Sequence, residues 1–172
     1  GRLHADGTID LGFNPGANKE VVAIAEQADG RILVAGYFTA LGGTTRDYLG
    51  RLLADGSLDP DFNSAPNAPV FTVVVQPDGK ILLGGNFTSI DGKWRQGIAR
   101  LHSSGSVDES FNPGSGGVVQ SIALQADGKI LFGNVLYAYS GGSRPRGVER
   151  LNADGTWDMD FDPRADNTVY SL

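Results

Sequence analysis

The sequence predicts an all-β protein of four-stranded antiparallel blades, on three observations: a period of 49–50 residues, two motifs that keep one phase, and no stretch with sustained helical periodicity. Arg2-Leu3 recurs as Arg51-Leu52, Arg100-Leu101 and Arg150-Leu151, in steps of 49, 49 and 50 residues. Phe13 recurs as Phe62, Phe111 and Phe161 at the same steps. A second motif, Gln-Ala/Pro-Asp-Gly-Arg/Lys-Ile-Leu, stands at 27–33, 76–82 and 125–131. Independent motifs that hold phase along a whole chain leave chance similarity negligible.

One repeat serves for all in assigning the elements. The run 70–75 (Val-Phe-Thr-Val-Val-Val) is β-branched and aromatic, apolar at odd and even positions alike, and reads as a strand buried on both faces. Gln76-Pro77-Asp78-Gly79 follows as a tight turn, in which proline presets φ and glycine takes the left-handed position. Residues 80–87 are the return strand, 88–97 a ten-residue loop, and 98–103 a third strand. A second tight turn, Ser103-Ser104-Gly105, leads to a fourth strand from Ser106 to Phe111. Four short strands, apolar on both faces at the first, need a neighbouring sheet on each side. Radial stacking supplies it, which makes the expected architecture a β-propeller. The Asp-Gly turns fit hairpins better than the parallel coils of a solenoid.

The repeats parse residues 1–172 as a single repeat domain: half a blade at 2–13, complete blades at 21–62, 70–111 and 119–161, and the start of another at 168–172. The first residue is not Met and both ends fall inside a repeat, so the expectation is a fragment of a larger protein with three complete blades. Unpaired terminal strands would invite self-association.

Composition narrows the function classes. The net charge of −6 offers no basic stripe to displace counterions from a phosphate backbone, so no nucleic-acid partner is expected. No apolar run approaches the roughly 20 residues of a membrane helix, so no membrane insertion is expected. The absence of cysteine excludes disulfides and thiolate chemistry.

The run from Gln76 through Phe87 (Gln-Pro-Asp-Gly-Lys-Ile-Leu-Leu-Gly-Gly-Asn-Phe), followed by Arg100-Leu101 and a Gly-Ser-Val-Asp turn ending in Phe111-Asn112, resembles the bacterial delta-60 repeat family. The resemblance covers essentially the whole chain, with a period shorter than that family's. It implies β-propeller-like repeats of large secreted or surface proteins. It implies no enzymatic activity and carries over no site residue.

Residues that could carry chemistry mostly fall on the repeat. His4 and His102 share a repeat position with Leu53 and Asn152, which suits a strand position without a chemical task. Asp6, Asp29, Asp55, Asp78, Asp127 and Asp154 sit in the tight turns, where the side chain bonds nearby amides. Asp158, Asp160 and Asp162 alternate along the expected fourth strand and would share one face, but they lack the spacing of a calcium loop. Arg46/Arg51, Arg95/Arg100 and Arg146/Arg150 recur once per blade, with Asp59, Asp108 and Asp158 as candidate partners. No catalytic residue, metal site or cofactor is expected.

Variable loops on a repetitive frame are where binding usually resides. The second-to-third and blade-to-blade loops differ between repeats and share one end of the blades. They carry Tyr48, Trp94, Arg95, Arg144 and Arg146, with Lys19 and Asn67. The third blade departs from pattern at Tyr137 and Tyr139, where Gly-Asn-Val-Leu-Tyr-Ala-Tyr replaces Gly-Gly-Asn-Phe-Thr. Aromatic rings beside arginines suit a protein or glycan surface. The expectation is a noncatalytic structural, adhesive or ligand-binding module. The alternatives are a carbohydrate-active hydrolase or lyase and a pure spacer.

Overall fold

The computed structural model of the protein describes residues 1–135, 147–165 and 167–172. No helix occurs among them. The chain begins with a short hairpin, β1 (Arg2–Leu3) and β2 (Ile9–Asp10). The first blade holds β3 (Val21–Glu26), β4 (Ile32–Gly36), β5 (Ala40–Leu41), β6 (Thr44–Thr45) and β7 (Leu49–Leu52). The second repeats them as β8 (Val70–Val75), β9 (Ile81–Gly85), β10 (Ser89–Ile90), β11 (Lys93–Trp94) and β12 (Ile98–Leu101). The third contributes β13 (Val118–Leu124), β14 (Ile130–Val135) and β15 (Val148–Leu151). Each blade is an antiparallel sheet with the second strand central: β3-β4-β7, β8-β9-β12 and β13-β14-β15. The register repeats too, down to an irregularity at the start of each first strand, between Val21 and Ala23, Val70 and Thr72, and Val119 and Ser121.

Two expectations are corrected. The loop 88–97 is itself a hairpin: β10 pairs with β11 across Asp91 (φ 52°) and Gly92 (φ 73°). In the first blade β5 and β6 close over Gly42 (φ 60°) and Gly43 (φ 75°). Positive φ at both central residues is the primed turn that matches strand twist. The fourth strand is also shorter than expected. It survives as single bridges, Leu52 to Leu58, Leu101 to Val107 and Leu151 to Trp157. An aspartate then diverts the chain: Asp59 Oδ1 accepts the Asp61 amide at 3.0 Å, and Asp108 Oδ1 accepts that of Ser110 at 3.1 Å. Such a turn competes with the sheet ladder. In the third blade Phe161 donates its amide to the Asp158 carbonyl, so 158–161 is a turn. Asp158, Asp160 and Asp162 therefore do not alternate along a strand.

Packing explains why the second strands are apolar at consecutive positions. Leu83 joins a core with Leu33, Leu49 and Phe62, while its neighbour Leu82 joins another with Ile122, Phe132 and Leu151. Alternate residues of a strand face opposite sides, so the middle sheet is buried on both. Removing that apolar surface from water stabilises the stack by about 25 cal/mol per Å².

A recurrent junction links one blade to the next. Arg51 Nε donates to Asp59 Oδ2 at 2.8 Å, its guanidinium lies 4.5 Å from the Phe62 ring centre, and Nη1 donates at 2.5 Å to the Ser103 carbonyl, in the following blade. Arg100 does the same with Asp108, Phe111 and the Ala153 carbonyl, the last at 2.9 Å. Arg2 does so with Asp10, Phe13 and the Ala54 carbonyl at 2.7 Å. The phenylalanine completes the contact from the same side. A methyl group on Gly56, Gly105 or Gly155 would come within 2.6, 2.9 and 2.6 Å of the rings of Phe13, Phe62 and Phe111. Those glycines also hold φ of 91°, 101° and 93°, so both backbone and close approach require glycine. The repeated Arg, Asp, Phe and turn Gly are thus one structural device, as the recurrence of the arginine pairs suggested.

Candidate ligand-binding face

In these antiparallel blades the Asp-Gly turns lie at one end, and the two-residue-turn hairpins with the blade-to-blade linkers lie at the other. The turn aspartates are spent locally. Asp6, Asp29, Asp55, Asp78, Asp127 and Asp154 each accept the amide two residues on, at 2.9–3.1 Å. Hydrogen bonds from Thr8, Ser57 and Thr156 hold the carboxyls of Asp6, Asp55 and Asp154 below the ordinary carboxylate value. His4 and His102 are exposed, and their amides close the same turns as Leu53 and Asn152.

The hairpin end is rigid for its length. Asn67 Oδ1 accepts the amides of Thr88 (2.8 Å) and Ser89 (3.1 Å), and its Nδ2 donates to the Thr88 hydroxyl. Asn18 holds Thr39 and Ala40 in the first blade by the same three bonds. Asn67 is therefore a clamp on the hairpin, and Lys19 is exposed beside Asn18.

On this frame Trp94, the last residue of β11, is 56% exposed. Its six-membered ring overlies Gly114, with 3.6 Å to the position a Cβ would take there. Lys93 beside it is ion-paired with Glu109. Arg95 turns inward and is buried: Nη1 donates to the Trp94 carbonyl at 2.7 Å and Nη2 to the Asp108 carbonyl at 3.3 Å, while Nε has no hydrogen-bond partner. Arg46 is its counterpart in the first blade, bonded to the Asn63 side chain, again with Nε unpartnered. Arg95 thus braces the base of the tryptophan instead of presenting its charge.

Tyr48 is half-buried against the core shared by the first two blades, and its φ is 62°. Its counterpart in the second blade is Gly97 (φ 71°), where a Cβ would collide with the Ser115 hydroxyl and the Gly117 carbonyl. A bulky residue in the left-handed region costs about 1–2 kcal/mol, so Tyr48 marks a place where the first blade departs from the repeat at a cost. Tyr137, Tyr139, Arg144 and Arg146 lie outside the described residues. One aromatic was missed from sequence. Tyr37 is 42% exposed and packs at 5.6 Å against Phe71 of the next blade. Its signal was present, since Tyr37 replaces the Asn86 of the Gly-Gly-Asn-Phe pattern.

The hairpin end therefore presents exposed Trp94 and Tyr37 on backbone held by repeat-specific bonds. Among the described residues no cluster of His, Asp and Glu could hold a metal ion.

Blades of this build, stacked through a repeated junction and not closed into a single sheet, define a β-propeller repeat protein. The chain belongs to the family described as a domain of unknown function (DUF5122) beta-propeller, whose model matches residues 27–62, 76–111 and 125–161, more than half of the chain. Each match runs from the first Asp-Gly turn to the junction phenylalanine. No curated protein matches the chain. Among solved structures, one titled "Streptogramin B lyase structure" is 20% identical with a TM-score of 0.52, over 79% of this chain and 38% of that one. A protein of unknown function from Bacteroides caccae is 14% identical with a TM-score of 0.48, over 78% of this chain and 46% of that one. The chain spans less than half of either, and the first likeness bears on the fold alone.

Proposed function

We propose that this chain is a noncatalytic binding or adhesive module, of the delta-60 repeat type, in a larger secreted or surface bacterial protein, and that it engages a protein or glycan through the hairpin end of its blades. The observation that carries the reading is Trp94: a large exposed ring on a clamped hairpin, braced by a buried arginine and absent from the equivalent position of the first blade, which is Thr45. A preordered aromatic loses little entropy on binding, and such rings dominate contact energetics on sugar and protein surfaces. The local use of the turn aspartates supports the same reading over acid–base chemistry.

The test is a glycan array and a surface-capture assay with the wild-type chain, Trp94→Ala and Thr45→Ala, beside a hydrolase and lyase screen. Trp94→Ala is expected to weaken capture by about tenfold or more, the loss of one aromatic anchor, with an unchanged melting temperature, and Thr45→Ala to leave capture intact. Equal capture by Trp94→Ala would remove the site, and turnover of a glycan by the wild-type chain would replace the reading with an enzymatic one.

A further inference from the structure

The chain contains seven Asp-Gly pairs, a dipeptide in which the glycine nitrogen can attack the preceding side-chain carboxyl because no Cβ hinders its approach. Six of the seven stand in the recurrent tight turns, and there both reacting groups are tied down. The amides of Gly7, Gly30, Gly56, Gly79, Gly128 and Gly155 each donate at 2.9 Å to the carbonyl three residues back. The carboxyls before them each accept the amide two residues on, at 2.9–3.1 Å.

Asp91-Gly92 is the exception. It forms the two-residue turn between β10 and β11 in the middle blade, and both residues are exposed. The Gly92 amide donates to no described residue. Nothing lies within 4 Å of a Cβ placed on Gly92, so the amide has room to swing toward the Asp91 side chain. Asp91 Oδ1 accepts the Ala65 amide at 2.8 Å, a bond that polarises the carboxyl carbon toward attack, while Oδ2 has no described donor.

We propose that Asp91 is a modification site, at which the folded chain selectively and spontaneously converts aspartate to isoaspartate. The carboxyl reacts as its neutral acid. The Gly92 nitrogen attacks Asp91 Cγ, the N–Cγ bond forms, the Cγ–Oδ2 bond breaks, and the amide proton leaves with that hydroxyl as water. The cyclic imide then takes up one water molecule. Opening at Cγ restores aspartate. Opening at the main-chain carbonyl carbon leaves isoaspartate, with the chain now running through Cβ and Cγ. Water is the only co-reactant, and nothing is oxidised or reduced. The added main-chain carbon does not fit a two-residue primed turn, and the carboxyl that held Ala65 becomes part of the backbone. The hairpin that carries Trp94 thereby loses its tie to the preceding linker.

The test is peptide mapping of the chain after ageing at mildly acidic pH and physiological temperature, with isoaspartate counted by enzymatic methyl transfer. Isoaspartate at position 91 is expected to exceed that at any other Asp-Gly by about tenfold or more, since each of the others must first give up two hydrogen bonds. Ageing in guanidinium chloride should bring the seven sites to comparable levels. Asp91→Glu, which would have to close a larger ring, should remove most of the methyl acceptance of the folded chain. Mapping of the wild-type chain decides the matter even if that variant folds poorly. Isoaspartate spread evenly over the turns of the folded chain, or absent from position 91, would overturn the proposal. So would a preference for Asp91 that persists after unfolding, which would trace it to local sequence and not to the fold.

Discussion

At the residue scale, the arginine–aspartate pairs show how a charge can be buried in a small β-protein at tolerable cost. Asp108 is 5% exposed in its side chain and receives Arg100 Nε at 2.8 Å, Lys80 Nζ at 3.2 Å and the Ser110 hydroxyl at 2.6 Å. Burial by itself raises its pKa. The bonds from Ser110, Arg100 and Lys80 outweigh that, and the carboxyl titrates well below the ordinary carboxylate range. Its stabilising contribution is therefore complete above the unfolded value near about 3.9 and is lost as the pH falls through the lower folded value. Asp59 is lowered too, with burial opposing and the Asp61 amide and Arg51 prevailing. Urea unfolding across a pH series is expected to show stability falling below about pH 4. Asp108→Asn should cost about 3 kcal/mol at neutral pH, because Arg100 stays buried without its counter-charge, and should flatten the acid limb. A variant within experimental error of wild type at neutral pH would show the pair to be dispensable.

At the element scale, the two hairpins at the linker end of the blades are the least repetitive parts of the blade and still have a local reason to form. Asp91 accepts the left-handed conformation at φ 52° and its Oδ1 accepts the Ala65 amide at 2.8 Å, tying β10 and β11 to the preceding linker. Asp91→Asn keeps the conformational tolerance and an acceptor, whereas Asp91→Ala removes both. Thermal melting should show Asp91→Ala destabilised by about 1–2 kcal/mol and Asp91→Asn by less than half of that. Equal effects would mean that the Ala65 bond contributes nothing. If the hairpin holds Trp94 in place, Asp91→Ala should also weaken capture.

At the scale of the whole molecule, blades that touch only their neighbours make stability a sum of internal and junction contributions. The middle blade has two neighbours: β9 and β12 are buried throughout, while β3 alternates between exposed and half-buried positions. Amide hydrogen exchange should accordingly be slowest in β9 and β12 and fastest in β3 among the long strands. Uniform protection across the three blades would indicate a single cooperative unit instead.

How far this was legible in sequence follows from the range of the forces involved. The period, the strands and the Asp-Gly turns are written in local patterns, because glycine at positive φ and alternating apolar residues act within a few positions. The Asp91-Gly92 hairpin was legible by the same token, yet its two-residue strands are too short to show alternation. The fourth strand was over-read, since Asp59 and Asp108 look like strand residues until their side chains are seen to cap the following amides. Of the candidate site residues, Trp94 was readable as an aromatic on a loop that differs between repeats. The inward turn of Arg95 and the strained seat of Tyr48 were not, because both depend on atoms of neighbouring segments. The sequence by itself determined the repeat and the blade. Tertiary structure decided that arginine, phenylalanine and glycine from successive repeats form one junction, because that contact joins residues about fifty positions apart, beyond the reach of any local pattern.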